Sequence, residues 1–246
     1  MSTDDPAEIE GLRAAGRAVA ATLRELRRHV RPGVTTGDLD DVAARTMARH
    51  GARSAPRLVY GFPGATCISV DDEAVHGIPG PRRLREGQLV KLDVTVEREG
   101  FFADAAISVP VGRVKPGVSR LVATAQTALN EGLDAARPGI TLSELGGIVE
   151  AAVERRGARV LRELTGHGIG RTIHEGPTVP NFADPGATEA LVEGMVITIE
   201  PIIAQSTRET VSEDDGWTIS TADGSASAHA EHTLVVRDGR PLILTA

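Results

Sequence analysis

Two stretches of this chain are related to each other, and the relationship limits the folds open to it. The segments are RPGVTTGDLDDVAARTMARHGAR (31–53) and RPGITLSELGGIVEAAVERRGAR (137–159), which lie 106 residues apart and agree at nine of 23 positions. Each places a threonine three positions before an acid, as in a capping box, and a glycine where a helix would end. Two unrelated capped helices could share these features, so the helix pattern alone leaves chance similarity open.

A second pair of matched segments follows at nearly the same offset. EGQLVKLD (86–93) and EGMVITIE (193–200) are apolar runs typical of buried strands, and each ends on a carboxylate. We therefore predict an α+β fold with a central antiparallel sheet backed by helices, built from two pseudo-twofold halves in a single domain, 1–246. The halves are expected at about 8–115 and 116–246. Ligand pockets favour such junctions, so a site is expected between them.

The N-terminal segment predicts a further helix ahead of the first repeat. Asp5-Pro6 supplies a cap and a helix-starting proline, and apolar residues recur at helical spacing from Ile9 to Leu26. The helix is expected to stop near Arg31-Pro32-Gly33.

Composition excludes several classes of function. With 246 residues, 41% hydrophobic and 25% charged, the chain is typical of a globular protein, and its net charge of −7 argues against nucleic-acid readout. No apolar run approaches the roughly 20 residues of a membrane helix, and no export signal is evident, so a cytoplasmic protein without membrane contact is expected. Cys67 is the only cysteine. Any metal must therefore be bound through His, Asp and Glu.

Two aspartates are placed close together by a predicted β-hairpin within KLDVTVEREGFFADAAISV (91–109). If Arg98 and Glu99 form its loop, Asp93 faces Asp104 across the strands. Like charges in direct opposition are destabilising unless a cation lies between them. A solvent-exposed pair, or a register shifted by one residue, remains an alternative at this point.

The second half offers a matching pair of acids, Glu200 and Glu231. Glu200 ends an apolar run, where an unpaired charge would cost several kcal/mol. Together with His167, the four carboxylates form a donor set suited to divalent manganese, iron, cobalt or zinc, and bridging carboxylates suit two ions. Such a pair activates water for hydrolysis.

The segment TGHGIGRTIHE (165–175) has two histidines seven residues apart and a Gly-x-Gly-x-Gly run. A nucleotide-binding loop would need a strand before it, a helix after it and an acid about 20 residues further on. Pro177 and Pro180 follow too soon for that helix. A nucleotide-binding function is therefore disfavoured.

These motifs together resemble those of the type I methionine aminopeptidases, from about residue 8 to the C-terminus. The segments that carry the resemblance are AVHGIPG (74–80), KLDVTVEREGFFAD (91–104), GHGIGRTIHE (166–175), ITIEP (197–201) and DGWTISTADGSASAHAEHT (215–233). The resemblance implies the pita-bread fold and removal of the N-terminal methionine when the second residue is small. It also implies peptide and nascent-polypeptide substrates, a transient contact with the ribosome and a monomer.

The same resemblance implies roles for individual residues. Asp93 and Glu200 would flank two metal ions, Asp104 and Glu231 would bridge them, and His167 would bind one. A metal-bridging hydroxide would attack the carbonyl after the first residue, with Glu200 carrying the proton. The resemblance further implies that His76 and His174 would contact substrate and stabilise the tetrahedral intermediate.

A pocket for the methionine side chain is implied at Phe62, Cys67, Ile173 and Trp217. Soft, apolar and aromatic groups suit a thioether. From the sequence alone, Cys67 could equally be a small buried hydrophobe and Trp217 an ordinary core residue. Three histidines match no motif and are predicted to be surface or packing residues: His29, His50 and His229.

The chain departs from the resembled pattern in places that bear on activity. Ala105 and Ala106 follow Asp104 where hydroxyl residues are common, Ile173 stands where an aromatic is usual, and Phe62 where tyrosine is frequent. Loss of a hydrogen bond to a metal ligand typically costs 10- to 100-fold in metal affinity or activity. A proline-specific (Xaa-Pro) peptidase and a catalytically impaired pita-bread binding protein are the alternatives.

Overall fold

A computed structural model describes residues 1–246 as five α-helices and fifteen mostly short β-strands. The helices are α1 (Pro6–His29), α2 (Thr36–Arg49), α3 (Ala55–Tyr60), α4 (Pro116–Ala135) and α5 (Leu142–Glu154). The strands are β1 (Arg53–Ser54), β2 (Cys67–Val70), β3 (Glu73–Val75), β4 (Leu89–Arg98), β5 (Phe101–Pro110), β6 (Arg159–Val160), β7 (Gly166–Gly168), β8 (Glu175–Val179), β9 (Val196–Ile199), β10 (Ile202–Ala204), β11 (Thr210–Ser212), β12 (Ile219–Thr221), β13 (Ser227–His229), β14 (His232–Val235) and β15 (Leu242–Ile243). None of the helices combines the length and apolarity needed to cross a membrane.

The predicted helix signals are confirmed. The Asp5 carboxylate accepts a hydrogen bond from the Ala7 backbone N–H at the start of α1, with Pro6 in its first turn. Helices α2 and α5 both begin with complete capping boxes, at Thr35 and Thr141. The two repeat copies therefore start their helices through the same hydrogen bonds, which satisfy backbone N–H groups left free at a helix start.

The strands form four antiparallel sheets rather than one continuous sheet. Strand β4 pairs with β1, β2 and β5, and β14 lies between β15 and β9, which continues through β7 to β8. Two three-stranded sheets, β13-β10-β6 and β11-β12-β3, complete the set. The predicted α+β class and antiparallel pairing are confirmed, with the sheet divided into segments.

The predicted register of the β4–β5 hairpin is wrong. Its loop is Glu99-Gly100, with φ of 52° and 80°, so the strands pair two residues away from the expected register. Positive φ at both loop residues is the geometry of the two-residue hairpin turn that matches strand twist, and glycine favours it. Asp93 consequently faces Ala106, and Asp104 faces Thr95. The two aspartates are diagonal neighbours on one sheet face instead of a directly opposed pair.

Each repeat unit packs its helices onto its own strands. One apolar core lies between α1, α2 and the β4–β5 hairpin, and a second lies between α4, α5 and the strands β9 and β14. The two units meet where β5 approaches β14. There the Asp104 N–H donates to Thr233 Oγ1 at 2.9 Å, and the Glu231 N–H donates to the Ala106 carbonyl at 3.0 Å. Two acids from different units are thereby fixed at the junction.

The two capping boxes permit a matched stability test. Thr35→Ala and Thr141→Ala should each lower the free energy of unfolding by about 1 kcal/mol, because each removes the acceptor for a helix-start N–H. Urea denaturation measures the change, with Thr35→Ser and Thr141→Ser expected close to the parent. Thr127→Ala, at a half-buried position within α4 and away from its ends, is the control. A neutral effect at both caps would contradict the assigned role.

Candidate active site

One cavity of about 570 Å³ lies at the junction of the two units. It is lined by every residue that the sequence predicts for the site: Phe62, Cys67, His76, Asp93, Asp104, His167, Ile173, His174, Glu200, Trp217 and Glu231. The acids and His167 come from strands β4, β5 and β7 and from the residues that follow β9 and precede β14. Rigid strands therefore hold the polar groups in fixed positions.

The four acids share an environment that disfavours their charges. Asp104, Glu200 and Glu231 are 6%, 8% and 2% exposed, and Asp93 is partly buried. Burial raises the pKa of Asp104 to about 6. Burial first, and then the neighbouring acids, raise the pKa values of Asp93, Glu200 and Glu231 well above the usual carboxyl range. Carboxyl groups in this environment either hold protons or need a nearby cation to stay ionised.

Two threonines that the sequence analysis did not single out orient this cluster. Thr95 donates its hydroxyl to Asp104 Oδ2 at 2.7 Å. Thr198 donates its hydroxyl to Glu200 Oε1 at 2.8 Å and accepts the backbone N–H of His167 at 3.0 Å. Thr198 thus fixes the spacing between Glu200 and His167. Alternation along β4 places Thr95 on the face of Asp93, which was the available sequence signal.

The ring of His167 is held in one tautomer. Its Nδ1 lies 2.9 Å from the Gly168 carbonyl oxygen, which can only accept, so Nδ1 carries the proton. The unprotonated Nε2 then faces Glu200, 3.6 Å from Oε1. Burial lowers the pKa of His167 to about 4, with a further contribution from His174, so the ring is neutral near pH 7. A neutral imidazole with a backbone-anchored N–H is the usual form of a metal-binding histidine.

The donor set fits a divalent cation. One ligand atom each from Asp104, His167 and Glu231 lies within 4.8 Å of the others. Asp104 Oδ1 is buried and has no hydrogen-bond partner. A buried carboxylate oxygen without a partner is costly, and oxygen-rich sites with one imidazole suit manganese, iron, cobalt or zinc.

The glycines around His167 serve close backbone packing. A Cβ at Gly168 would lie 2.1 Å from the Gly176 carbonyl oxygen, and one at Gly166 would lie 2.7 Å from that of Thr198. The first contact is with β8 and the second with β9, the neighbours of β7. The segment enters a strand, with no helix directly after it, so the nucleotide-loop interpretation is not supported.

An apolar wall adjoins the acids. The rings of Phe62 and Trp217 meet edge to face with centroids 5.1 Å apart, and Cys67 and Ile173 are buried beside the cavity. Burial raises the pKa of the Cys67 thiol, so it remains neutral. Val75, Leu164 and Ile202 extend this wall and were not identified from the sequence.

Two further histidines lie at the cavity mouth. His76 has a φ of 58°, in the left-handed region, which turns the chain directly after β3. The ring of His174 lies 4.3 Å from that of His167, measured between centroids, in an edge-to-face arrangement. Burial lowers the pKa of both His76 and His174, which favours neutral rings able to donate an N–H.

The prediction for His229 requires correction. Its ring is 2% exposed, lines the cavity, and places Nε2 3.8 Å from Glu200 Oε2 and 3.7 Å from Glu231 Oε2. Both ring nitrogens lack hydrogen-bond partners. Burial lowers its pKa to about 3, so the ring is neutral. The residue belongs to the cavity; its position two residues before Glu231, on the same side of an extended segment, was the missed signal.

Gly168→Ala tests the packing argument. We expect the added methyl group to push β7 away from β8 and lower the free energy of unfolding by about 1–3 kcal/mol. Chemical denaturation measures the loss. Gly80→Ala is the matched control because its Cβ would meet no atom within 4 Å. Equal stability of the two variants would show that β7 does not need a glycine there.

Comparisons with known proteins agree with this geometry. The model of metallopeptidase family M24 matches residues 10–238. The chain is 39% identical to a methionine aminopeptidase of Clostridium perfringens, covering 97% of this chain and 96% of that protein. It is 40% identical to methionine aminopeptidase 2 of Bacillus subtilis, covering 100% and 99%.

Solved structures give the same result. The methionine aminopeptidases of Thermotoga maritima and Rickettsia prowazekii superpose with TM-scores of 0.96 and 0.95, each at 36% identity. Coverage is 100% of this chain in both cases, with 99% and 100% of the respective matched chains. A prolidase from Pyrococcus furiosus, 22% identical with a TM-score of 0.80, shares the fold, covering 98% of this chain and 64% of that one. The fold predicted from the resemblance is therefore confirmed, and the chain belongs to the methionine aminopeptidases of metallopeptidase family M24.

Proposed function

We propose that this protein is a metal-dependent aminopeptidase that removes the N-terminal methionine from peptides and nascent polypeptides with a small second residue. The observation that carries the proposal is one buried cavity in which four acids and an imidazole adjoin an apolar wall. The first feature suits hydrolysis and the second suits a thioether side chain. The names of the full-length relatives support the same reaction.

Five side chains would hold the metal. In this proposal the carboxylates of Asp93, Asp104, Glu200 and Glu231 would hold two divalent ions together with His167, which would bind through its unprotonated Nε2. Bound ions of this kind supply Lewis-acid activation of water and of the substrate carbonyl. Cobalt, manganese, iron and zinc all accept these ligands, so cellular availability selects among them.

The protein side chains would position the peptide and move its protons. The positive α-amino group of a substrate is attracted to the acidic end of the cavity, while its methionine side chain lies against Phe62, Cys67, Ile173 and Trp217. Glu200, with a raised pKa, is suited to accept a proton from water and return it to the leaving amine. His76 and His174 would donate N–H groups to the substrate and to the oxygen that gains negative charge.

The proposal also covers the domain organisation, oligomeric state and cellular location of the protein. We infer a single catalytic domain over 1–246 with halves of about 8–115 and 116–246, consistent with one apolar core in each unit. A monomer in the cytoplasm, acting on nascent polypeptides with a transient ribosome contact, fits this substrate class. A proline-specific peptidase of the same fold is less favoured because the full-length relatives at 39–40% identity are named methionine aminopeptidases.

Metal binding should stabilise the protein more strongly as pH rises. The pKa of Asp104 is raised to about 6, and the other acids are raised as well, so near pH 5.5 the folded protein holds protons that an ion must displace. His167, with a pKa of about 4, is already neutral there. The gain in Tm on adding Mn²⁺ should therefore be larger at pH 7.5 than at pH 5.5. Calorimetry of metal-free and metal-loaded protein measures it.

Asp104→Asn provides the comparison for that experiment. Because the amide neither titrates nor carries a negative charge, its metal-induced gain should be smaller and should vary less with pH. The control is Asp134→Asn, at an exposed position on α4, which should match the parent. A gain independent of pH in the parent would contradict metal binding by these carboxyls.

A substrate panel tests the reaction itself. Parent protein reconstituted with Mn, Fe, Co or Zn should release methionine from Met-Ala peptides, with little turnover of Met-Lys or Ala-Pro peptides. Asp104→Asn should abolish turnover if its carboxylate joins two ions, whereas Asp134→Asn should retain it. Cleavage of Ala-Pro alone would instead support the proline-specific alternative. No turnover with any metal would refute the enzymatic proposal.

A further inference from the structure

Tyr60 makes a polar contact with one of the cavity histidines. It is the last residue of α3, is 46% exposed and lies at the cavity mouth. Its hydroxyl oxygen is 2.6 Å from Nδ1 of His174. The two rings also stack, with centroids 5.7 Å apart and planes 25° from parallel. The hydroxyl and the ring therefore make two separate contacts with the same imidazole.

The direction of this hydrogen bond follows from its length and from the protonated state of the phenol. Bonds donated by O–H are typically about 2.7–2.8 Å between heavy atoms, and those donated by N–H about 2.9–3.0 Å, so 2.6 Å favours the phenol as donor. Burial raises the pKa of Tyr60, so its phenol stays protonated and can donate. A neutral imidazole that accepts at Nδ1 carries its proton on Nε2.

We propose that Tyr60 is a positioning residue that holds His174 in the Nε2–H tautomer, with that N–H available to the cavity. The ring of His174 lines the cavity and packs edge to face with the ring of His167, which adjoins the acids. A donor there suits a substrate oxygen that gains negative charge. This catalytic consequence rests on the proposed aminopeptidase function, but the tautomer does not.

Both partners of the bond are themselves held by short-range contacts. On the Tyr60 side, helix α3 begins at a Ser54 cap and ends at Gly61, whose φ of 70° is left-handed. On the other side, the Glu175 carboxylate accepts the backbone N–H groups of Arg171 and Thr172 at 2.6 and 2.8 Å. The Tyr60 hydroxyl thus connects two ordered segments, one from each half of the chain.

The anchoring of α3 continues into the first unit. The Asp40 carboxylate, on α2, accepts a hydrogen bond from the Arg57 guanidinium at 3.2 Å. It also accepts hydrogen bonds from the backbone N–H groups of Ala65 and Thr66 at 2.8 to 2.9 Å. These bonds fix the turn that carries Tyr60 and Phe62 over the cavity. The Tyr60 hydroxyl therefore reaches His174 from an anchored helix end.

Tyr60→Phe removes the hydroxyl and keeps the stacked ring. With a Met-Ala peptide we expect kcat to fall about 10-fold, the value of one neutral hydrogen bond, while KM changes less than about two-fold. In a His174→Ala background the same substitution should have no further effect. Leu58→Ala, an exposed change on the same helix, is the control, and thermal unfolding verifies that each variant folds. Full additivity of Tyr60→Phe and His174→Ala would overturn the proposal.

Nitrogen NMR of the full chain loaded with diamagnetic zinc tests the tautomer without any need for turnover. Histidine labelled with ¹⁵N should show a protonated Nε2 and a non-protonated, hydrogen-bonded Nδ1 at His174, assigned by loss of the signals in His174→Gln. In Tyr60→Phe the Nδ1 signal should move toward that of a nitrogen without a bonded donor. A protonated Nδ1 in the parent, or an unchanged Nδ1 signal in Tyr60→Phe, would refute the role of Tyr60 even if the protein is an active aminopeptidase. A protein without peptidase activity but with the expected spectrum would refute only the proposed function.

Discussion

The confinement of four carboxyl groups to one cavity at the junction of the units is the constraint around which the structure is arranged. Asp104, Glu200 and Glu231 are all at least nine-tenths buried, and burial raises the pKa of each, with neighbouring acids raising those of Glu200 and Glu231 further. Burying such groups is costly unless something positive compensates them. Each repeat unit places two acids at the junction: Asp93 and Asp104 lie within β4 and β5, whereas Glu200 follows β9 and Glu231 precedes β14. A divalent cation would supply the compensating positive charge, which makes this cluster suited to metal binding.

The two histidines of TGHGIGRTIHE illustrate how a hydrogen-bond partner selects the chemistry of identical side chains. His167 donates Nδ1–H to the Gly168 carbonyl, which leaves Nε2 with a lone pair facing Glu200. At His174, Nδ1 instead accepts a hydrogen bond from the Tyr60 hydroxyl, so the proton of the neutral ring lies on Nε2. The first arrangement suits a metal ligand and the second suits a hydrogen-bond donor to substrate. Seven residues apart in the chain, the rings lie in contact with opposite tautomers.

Much of this structure could be predicted from the sequence, but particular contacts could not. The capped helices and the acids within or beside apolar strands are local or periodic patterns, and internal repetition related one half to the other. The hairpin register failed because it depends on which two residues take positive φ, and Glu99-Gly100 does so instead of Arg98-Glu99. The role of Tyr60 was missed because its contact is with His174, a residue distant in the sequence, whereas His229 was missed although it lies two residues before Glu231.

The two alanines after Asp104 show how a site can keep an orienting bond when the nearby sequence does not supply it. With Ala105 and Ala106 there is no adjacent hydroxyl, yet Thr95 donates to Asp104 Oδ2 from the neighbouring strand, directly across the hairpin. This bond exists only in the observed register, since the expected one would have placed Asp93 opposite Asp104. One oxygen of Asp104 is therefore anchored by a hydroxyl while the other, Oδ1, is buried without a partner. The same shift of register that separates the two aspartates thus supplies the hydrogen bond that orients one of them toward a cation.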